Sequence, residues 1–212
     1  MDDTFQKLLL VVFGWLLGLL GPVIAEAIKR RRENALGRGA IRSELRDVAH
    51  KLALARHLVR AHLGQTTRED LTWMKHHLEG HASLENSSSV LAYVNSGLQG
   101  DDYQLSAMTQ AMAAKPENTL ELQKYPVPLL DSRVSALWTF DTALQRTLLE
   151  IRTRISQLDR MVDKHEKYAD KTFTAMDQEN RRRLEGNIAT IFQQYAKTAK
   201  VVVDLVKTIE RT

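Results

Sequence analysis

The chain has 212 residues, 43% hydrophobic and 26% charged, with 10 Gly, 4 Pro and no Cys. Zero Cys excludes a disulfide framework, a thiolate zinc site and a cysteine nucleophile, and so few Gly and Pro argue against a turn-rich β-sandwich or barrel. The formal net charge is +4, but half of the excess lies in residues 1–32, where Lys7, Lys29, Arg30, Arg31 and Arg32 outnumber Asp2, Asp3 and Glu26. The remainder is nearly balanced, so nucleic acid is not an expected partner.

Leu8 to Ala25 is 18 residues without a charge, LLLVVFGWLLGLLGPVIA. As a helix it spans roughly 27 Å, close to a hydrocarbon core of about 30 Å. A buried soluble helix would carry a polar stripe, and this stretch has none. Ala25-Glu26-Ala27 has the form of a signal-peptidase site. Against cleavage, Asp2 and Asp3 lead the segment, and Lys29, Arg30, Arg31 and Arg32 follow it. The reading is a single transmembrane anchor, residues 1–32 including its basic flank, with the lipid bilayer as partner. Lys and Arg stay on the cytoplasmic side, so residues 29–212 are expected in the cytoplasm. Gly14 and Gly18 form a small-xxx-small pair on one helical face, a candidate self-association surface. Gly21-Pro22 predicts a kink or the end of the straight helix.

Gly37 and Gly39 suggest a joint, after which a helix is expected over about 40–63. Its apolar stripe is Ile41, Leu45, Val48, Leu52, Ala55, Val59 and Leu63. Its other face is basic (Arg42, Arg46, Lys51, Arg56, Arg60), which suits either solvent or anionic headgroups. Gly64 ends that helix. Thr66-Thr-Arg-Glu69 reads as a capping box opening a short helix to about Glu79. A helical turn or two is expected within Val90–Leu98. Another short helix, capped by Asp101 or Asp102, should run through Leu105, Met108 and Met112.

Pro116, Pro126 and Pro128 mark residues 115–130 as an extended crossover, which separates the shorter helices of 33–114 from 131–211. That last part carries the strongest periodicity. One helix is expected from about Asp131 to Tyr168 with the stripe Val134, Leu137, Asp141, Leu144, Leu148, Ile151, Ile155, Leu158, Val162 and His165. A second is expected from about Asp177 to Arg211 through Leu184, Ile188, Ile191, Tyr195, Thr198, Val202, Leu205 and Ile209. A sustained 3.5-residue period implies packing along a partner helix at a shallow angle. The short joint near Lys171–Met176 makes the pair an antiparallel hairpin. Trp138, Phe140, Leu149, Phe192, Val201 and Val206 lie beside the seams and call for a third helix, the 40–63 segment, or a second chain. Asp141 and Thr198, polar on apolar seams, are expected to set register or oligomeric state.

No nucleotide-binding, nucleophile-elbow or zincin motif is present. His77 and His81 share a helical face as metal ligands do, but Gly80 separates them and no acidic donor accompanies them. They read as surface histidines, with no metal or cofactor expected. Arg160-x4-His165 and Arg56-x5-His62 match the Arg-x(4–6)-His signature of HEPN ribonucleases, helical bundles in which the pair acts on an RNA 2′-hydroxyl and phosphate. Composition alone yields about two such matches, so these four residues are catalytic candidates of low rank.

FGWLLGLLGP followed by KRRR, with KYPVPLLDS leading into LLEIRTRISQLD, resembles a group of bacterial single-span proteins with helical cytoplasmic domains. The resemblance covers most of the chain and implies a bacterial inner-membrane setting and no particular activity. The expectation is therefore all-α. One N-terminal transmembrane helix carries a cytoplasmic helical bundle, 33–212, with a long antiparallel C-terminal hairpin. The expected function is a non-enzymatic, homo-oligomeric interaction, scaffold or sensor module with a possible protein partner. The alternatives are a tethered HEPN-like ribonuclease or a membrane-perturbing effector in antiviral defence.

Overall fold

The computed structural model describes residues 3–81, 87–113, 120–172 and 177–210, without the side chains of 3–12, 16, 17, 19, 20 and 30. Every regular element among them is helical: α1 (Asp3–His62), α2 (Arg68–Glu79), α3 (Ser87–Gln99), α4 (Asp102–Met112), α5 (Pro128–Ser132), a 3-10 turn (Val134–Thr139), α6 (Thr142–Thr172) and α7 (Gln178–Glu210). The chain divides into two compact units, Met1–Arg42 and Ser43–Thr212.

The first unit is helix alone. The expected joint at Gly37 and Gly39 does not interrupt the helix, and the helix does not end at Gly21-Pro22, because α1 runs through all four. Each interior Gly costs about 1 kcal/mol against Ala, and Ala35, Leu36, Arg38 and Ala40 around them are strong helix formers. Phe13, Trp15, Val23, Ile24, Ile28 and Leu36 are all more than half exposed. A Cβ added at Gly14, Gly18 or Gly21 would meet nothing within 4 Å. Among the described residues no helix is long and apolar enough to cross a membrane. Half of the side chains in Leu8–Ala25, together with those of Lys7 and Arg30, lie outside the described ones.

The second unit is built on α6 and α7, which pack against each other. The buried face of α6 is Leu144, Leu148, Ile151, Ile155, Leu158, Val162 and His165, alternating steps of four and three as the heptad pattern requires. The face of α7 is wider. Leu184, Ile191, Tyr195, Val202 and Ile209 are buried, and so are Phe192, Ala196, Ala199, Val203 and Val206. A double stripe means two neighbours. The second is α1 from Ser43 onward, where Leu45, Val48, Ala49, Leu52, Ala53 and Val59 are buried. Arg46 pairs with Glu210 at 2.7 Å, and the His62 ring meets the Phe192 ring at 5.3 Å. The start of this stretch therefore lies by the end of α7 and its end by the beginning, so the two run antiparallel. Ile188, Thr198 and Leu205, expected on the α7 seam, are only half-buried, because the double contact rotates the buried face.

Several boundaries differ from expectation for local reasons. α6 begins at Thr142 rather than near Asp131, since Asp141 is its N-cap and accepts the Leu144 N–H at 2.9 Å. Asp141 is exposed and holds no seam position. Trp138 is in the 3-10 turn, 74% exposed. The capping box of α2 is shifted by one residue to Thr67 and Asp70; Thr66 is buried. Asp101 caps α4 reciprocally with Gln104. α1 closes in a Schellman motif, with Gly64 at φ 63, its N–H on the Ala61 carbonyl and the Gln65 N–H on that of Arg60, both at 2.9 Å. Within the crossover, residues 120–127 are irregular. They are pinned by the Tyr195 hydroxyl on the Gln123 carbonyl (3.3 Å) and by burial of Leu122 and Val127. Glu44 then accepts the Leu129 and Leu130 N–H groups at 2.8 and 2.9 Å, capping α5. Residues 115–119 and 173–176, the rest of the crossover and the hairpin joint, lie outside the described residues.

Leu148 is 1% exposed and Leu149 41%. Leu148→Ala is expected to lower unfolding free energy by about 2–5 kcal/mol and Leu149→Ala by under about 1 kcal/mol, measured by urea denaturation.

Candidate functional site

The densest polar chemistry of the second unit lies where α2 meets α1 and α7. Asp70, placed by its capping role at the third position of α2, points back at α1. Its Oδ2 accepts from Arg60 Nη2 (2.7 Å) and Nε (3.0 Å) and from the Thr67 hydroxyl (3.0 Å), and its Oδ1 accepts from Arg56 Nη2. Burial pushes the Asp70 carboxyl up, but the Arg56 hydrogen bond and the Arg56 and Arg60 charges outweigh it and hold the group below its ordinary value. The Arg56 guanidinium then lies 4.6 Å over the Trp73 ring. The Trp73 indole N–H donates to Asp204 of α7 at 3.0 Å, whose other oxygen binds Lys200 at 2.6 Å. Lys200 and Lys207 also face the Trp73 ring, at 5.6 and 5.3 Å. One indole thus ties α2 to cations from both bundle helices.

Beside Trp73 sits a stack of imidazoles. The His77 ring is 6.0 Å from Trp73, 5.7 Å from His50 and 4.3 Å from His81, all stacked. His50, His77 and His81 are 4%, 1% and 7% exposed. This corrects the expectation of surface histidines. The four-residue spacing points His77 and His81 inward at α1, where His50, six residues before Arg56, meets them. Both His77 ring nitrogens lack a hydrogen-bond partner, whereas His81 Nδ1 lies 2.8 Å from the His77 carbonyl. Among the described residues no group of three His, Cys, Asp or Glu is placed to hold a metal ion.

The Arg/His candidates are separated by the same packing. His62 and His165 come together on Phe192, at 5.3 and 5.0 Å, and burial lowers the pKa of each. Their arginines do not join them. Arg56 is buried against Asp70. Arg160 is exposed and lines a groove of about 430 Å³ between α6 and α7 with Lys164, Tyr168 and Asn187. Five residues along a helix turn the face by roughly 140°, so Arg160 and the buried His165 point in different directions. Lys29, Arg31 and Arg32 are exposed on α1 of the first unit. A cavity of about 700 Å³ lies between α1 and the 120–126 strap. Its walls include Asp47 and Lys51, already paired at 2.7 Å. Comparison of the chain with protein-family models, with curated proteins and with solved structures found no match.

Removing Asp70 leaves the Arg56 guanidinium buried without its carboxylate. Asp70→Ala is expected to cost about 3–5 kcal/mol of stability. Asp70→Ala with Arg56→Met should recover part of that loss, and a double-mutant denaturation cycle measures the coupling.

Proposed function

We propose that the protein is a membrane-anchored, non-enzymatic interaction module of the bacterial inner membrane. The Leu8–Ala25 stretch of α1 is seated in lipid, residues 29–212 lie in the cytoplasm, and the chain self-associates. The observation that carries this reading is the surface of the first unit. Phe13, Trp15, Val23, Ile24 and Ile28 stand more than half exposed, on a stretch that ends in Lys29, Arg30, Arg31 and Arg32. Exposed apolar area costs about 25 cal/mol per Å² in water, and lipid relieves that cost around the whole helix circumference. The basic cluster then supplies the orientation. Gly14, Gly18 and Gly21 leave a face with room for a second backbone, which supports self-association through the span. In the second unit the buried charges Arg56 and Asp70 are paired with one another, which suits a structural role.

One observation favours a second reading, a membrane-tethered HEPN-like ribonuclease: the two motif histidines converge on Phe192. The engagement of Arg56 with Asp70 and the outward position of Arg160 weigh against it. His62→Ala and His165→Ala separate the two readings. Loss of RNA cleavage by purified protein in both variants favours the enzyme.

The full-length protein is expected to float with phosphatidylglycerol-containing vesicles and to resist carbonate extraction. Protease added outside inverted inner-membrane vesicles should digest residues 29–212. In detergent, light scattering should show an oligomer that Gly14→Leu/Gly18→Leu reduces toward monomer. Release by carbonate removes the anchor, and an oligomer unchanged by the double substitution removes the glycine face.

A further inference from the structure

The buried imidazole stack brings together three titratable rings from α1 and the end of α2. We infer that His77, stacked between His50 of α1 and His81 at the end of α2, forms a proton-sensitive latch that holds the C-terminal half of α2 against α1 and α7 only while the stack is uncharged. The geometry sets this up. Three rings from two segments lie within 4.3–6.0 Å of one another, each less than a tenth exposed. A proton on His77 would sit in that space with no acceptor at either ring nitrogen and with two further imidazoles beside it.

The surrounding charges do not rescue it. From α1 the ring faces His50, and from α2 it faces Trp73 and His81. From α7 come Asp204, which is already bonded to Trp73 and Lys200, and Lys207, a cation. Glu210 of α7 stands 3.9 Å from His81 Nε2 but 2.7 Å from Arg46, so its charge is directed to α1. The C-terminal end of a helix favours a cation, yet burial outweighs this. Burial first, then His81, Lys207 and His50, pull His77 from its ordinary 6.5 down to about 3, with Asp204 opposing.

The sign follows from proton counting. Between pH 6.5 and about 3, the ring binds a proton in the open state and none in the closed state. Lowering the pH therefore favours opening, tenfold per unit at the limit. Above 6.5 neither state carries the proton and the latch is fully closed. At the other end of α2, the ion pairs of Asp70 with Arg56 and Arg60 remain charged through the upper part of this range. Release thus starts at His77–His81 and exposes the buried Met74 and Leu78.

Hydrogen exchange on the full-length protein in detergent, corrected for intrinsic rates, tests the latch. Opening constants for amides of residues 74–80 are expected to rise about 30-fold from pH 7.5 to 5.0, while those of α6 and α7 stay within about threefold. His77→Phe keeps a stacked ring that cannot titrate, and His77→Leu fills the site without one. Either is expected to flatten the rise, and His76→Phe, at the exposed neighbour, is expected to keep it. An equal rise across α6 and α7, no rise in the wild type, or an undiminished rise in His77→Phe or His77→Leu would each overturn the inference. The regional contrast in the wild type decides the question even if a variant does not fold.

Discussion

The attachment of α2 depends on a carboxylate that must stay ionised inside the protein. Asp70 closes the α2 cap through Thr67 and also neutralises Arg56 and Arg60 of α1. The desolvated Arg56 guanidinium without an acceptor would cost several kcal/mol, so this carboxylate fixes where α2 begins and which way its first turn faces. From that anchorage the i+3 and i+7 positions follow: Trp73 is delivered to Asp204 of α7, and His77 to His50 of α1. The α2–α3 packing, with α4 beside it, is carried on that placement. Gly97 lies where a Cβ would come within 2.7 Å of the side-chain ends of both Leu71 and Met108, so α3 crosses there closely and a larger residue would require both side chains to move.

The two long helices at the C-terminus were readable because each step of four or three in α6 lands an apolar residue on one narrow seam, from Leu144 to His165. The same rule read α7 less well. A heptad scan assumes one partner, whereas α7 has two, and its small residues Ala196 and Ala199 are buried as fully as its valines. Alanine carries almost no periodic signal, although it is what lets α1 and α6 approach α7 together. Asp141 shows the converse error. An acidic residue that falls on the apolar period at the head of a helix is as well suited to capping as to a seam, and the Leu144 N–H decides for capping. Thr66 and Thr67 offered two equivalent cap registers. The choice between them came from Arg56 and Arg60, more than six residues upstream and on another helix.

The polar site was partly legible. Arg56, His62 and His165 were singled out by spacing, and the fold does give two of them a common neighbour in Phe192. Spacing along a helix does not report orientation, so the Arg56 partner, Asp70, was missed. His77 and His81 were recognised as sharing a face, but a helix of mixed composition does not announce which face is covered. The available signal was the alignment of that pair with Leu71, Met74 and Leu78 on the apolar side of α2. His50 adds a second: it follows Val48 and Ala49 and precedes Leu52 in the buried part of α1.

The two ends of α2 respond to protons in opposite ways, and this fixes the order in which the element loosens. The Asp70 end is held by charge. Its carboxyl lies below its ordinary 3.8 in the folded protein, so its contribution is complete above that value and is lost only as the pH falls through the lowered one. The His77 end is held by absence of charge. Its contribution is complete above 6.5 and declines from there toward about 3. Between roughly pH 6 and 4, the first turn of α2 therefore keeps its ion pairs while the last turn carries a growing electrostatic penalty. A helix restrained at its N-terminus and loosened at its C-terminus frays in one direction, because the Arg56–Asp70 contact preserves its register. The same carboxylate that positions α2 would then guide it back when the stack returns to neutrality.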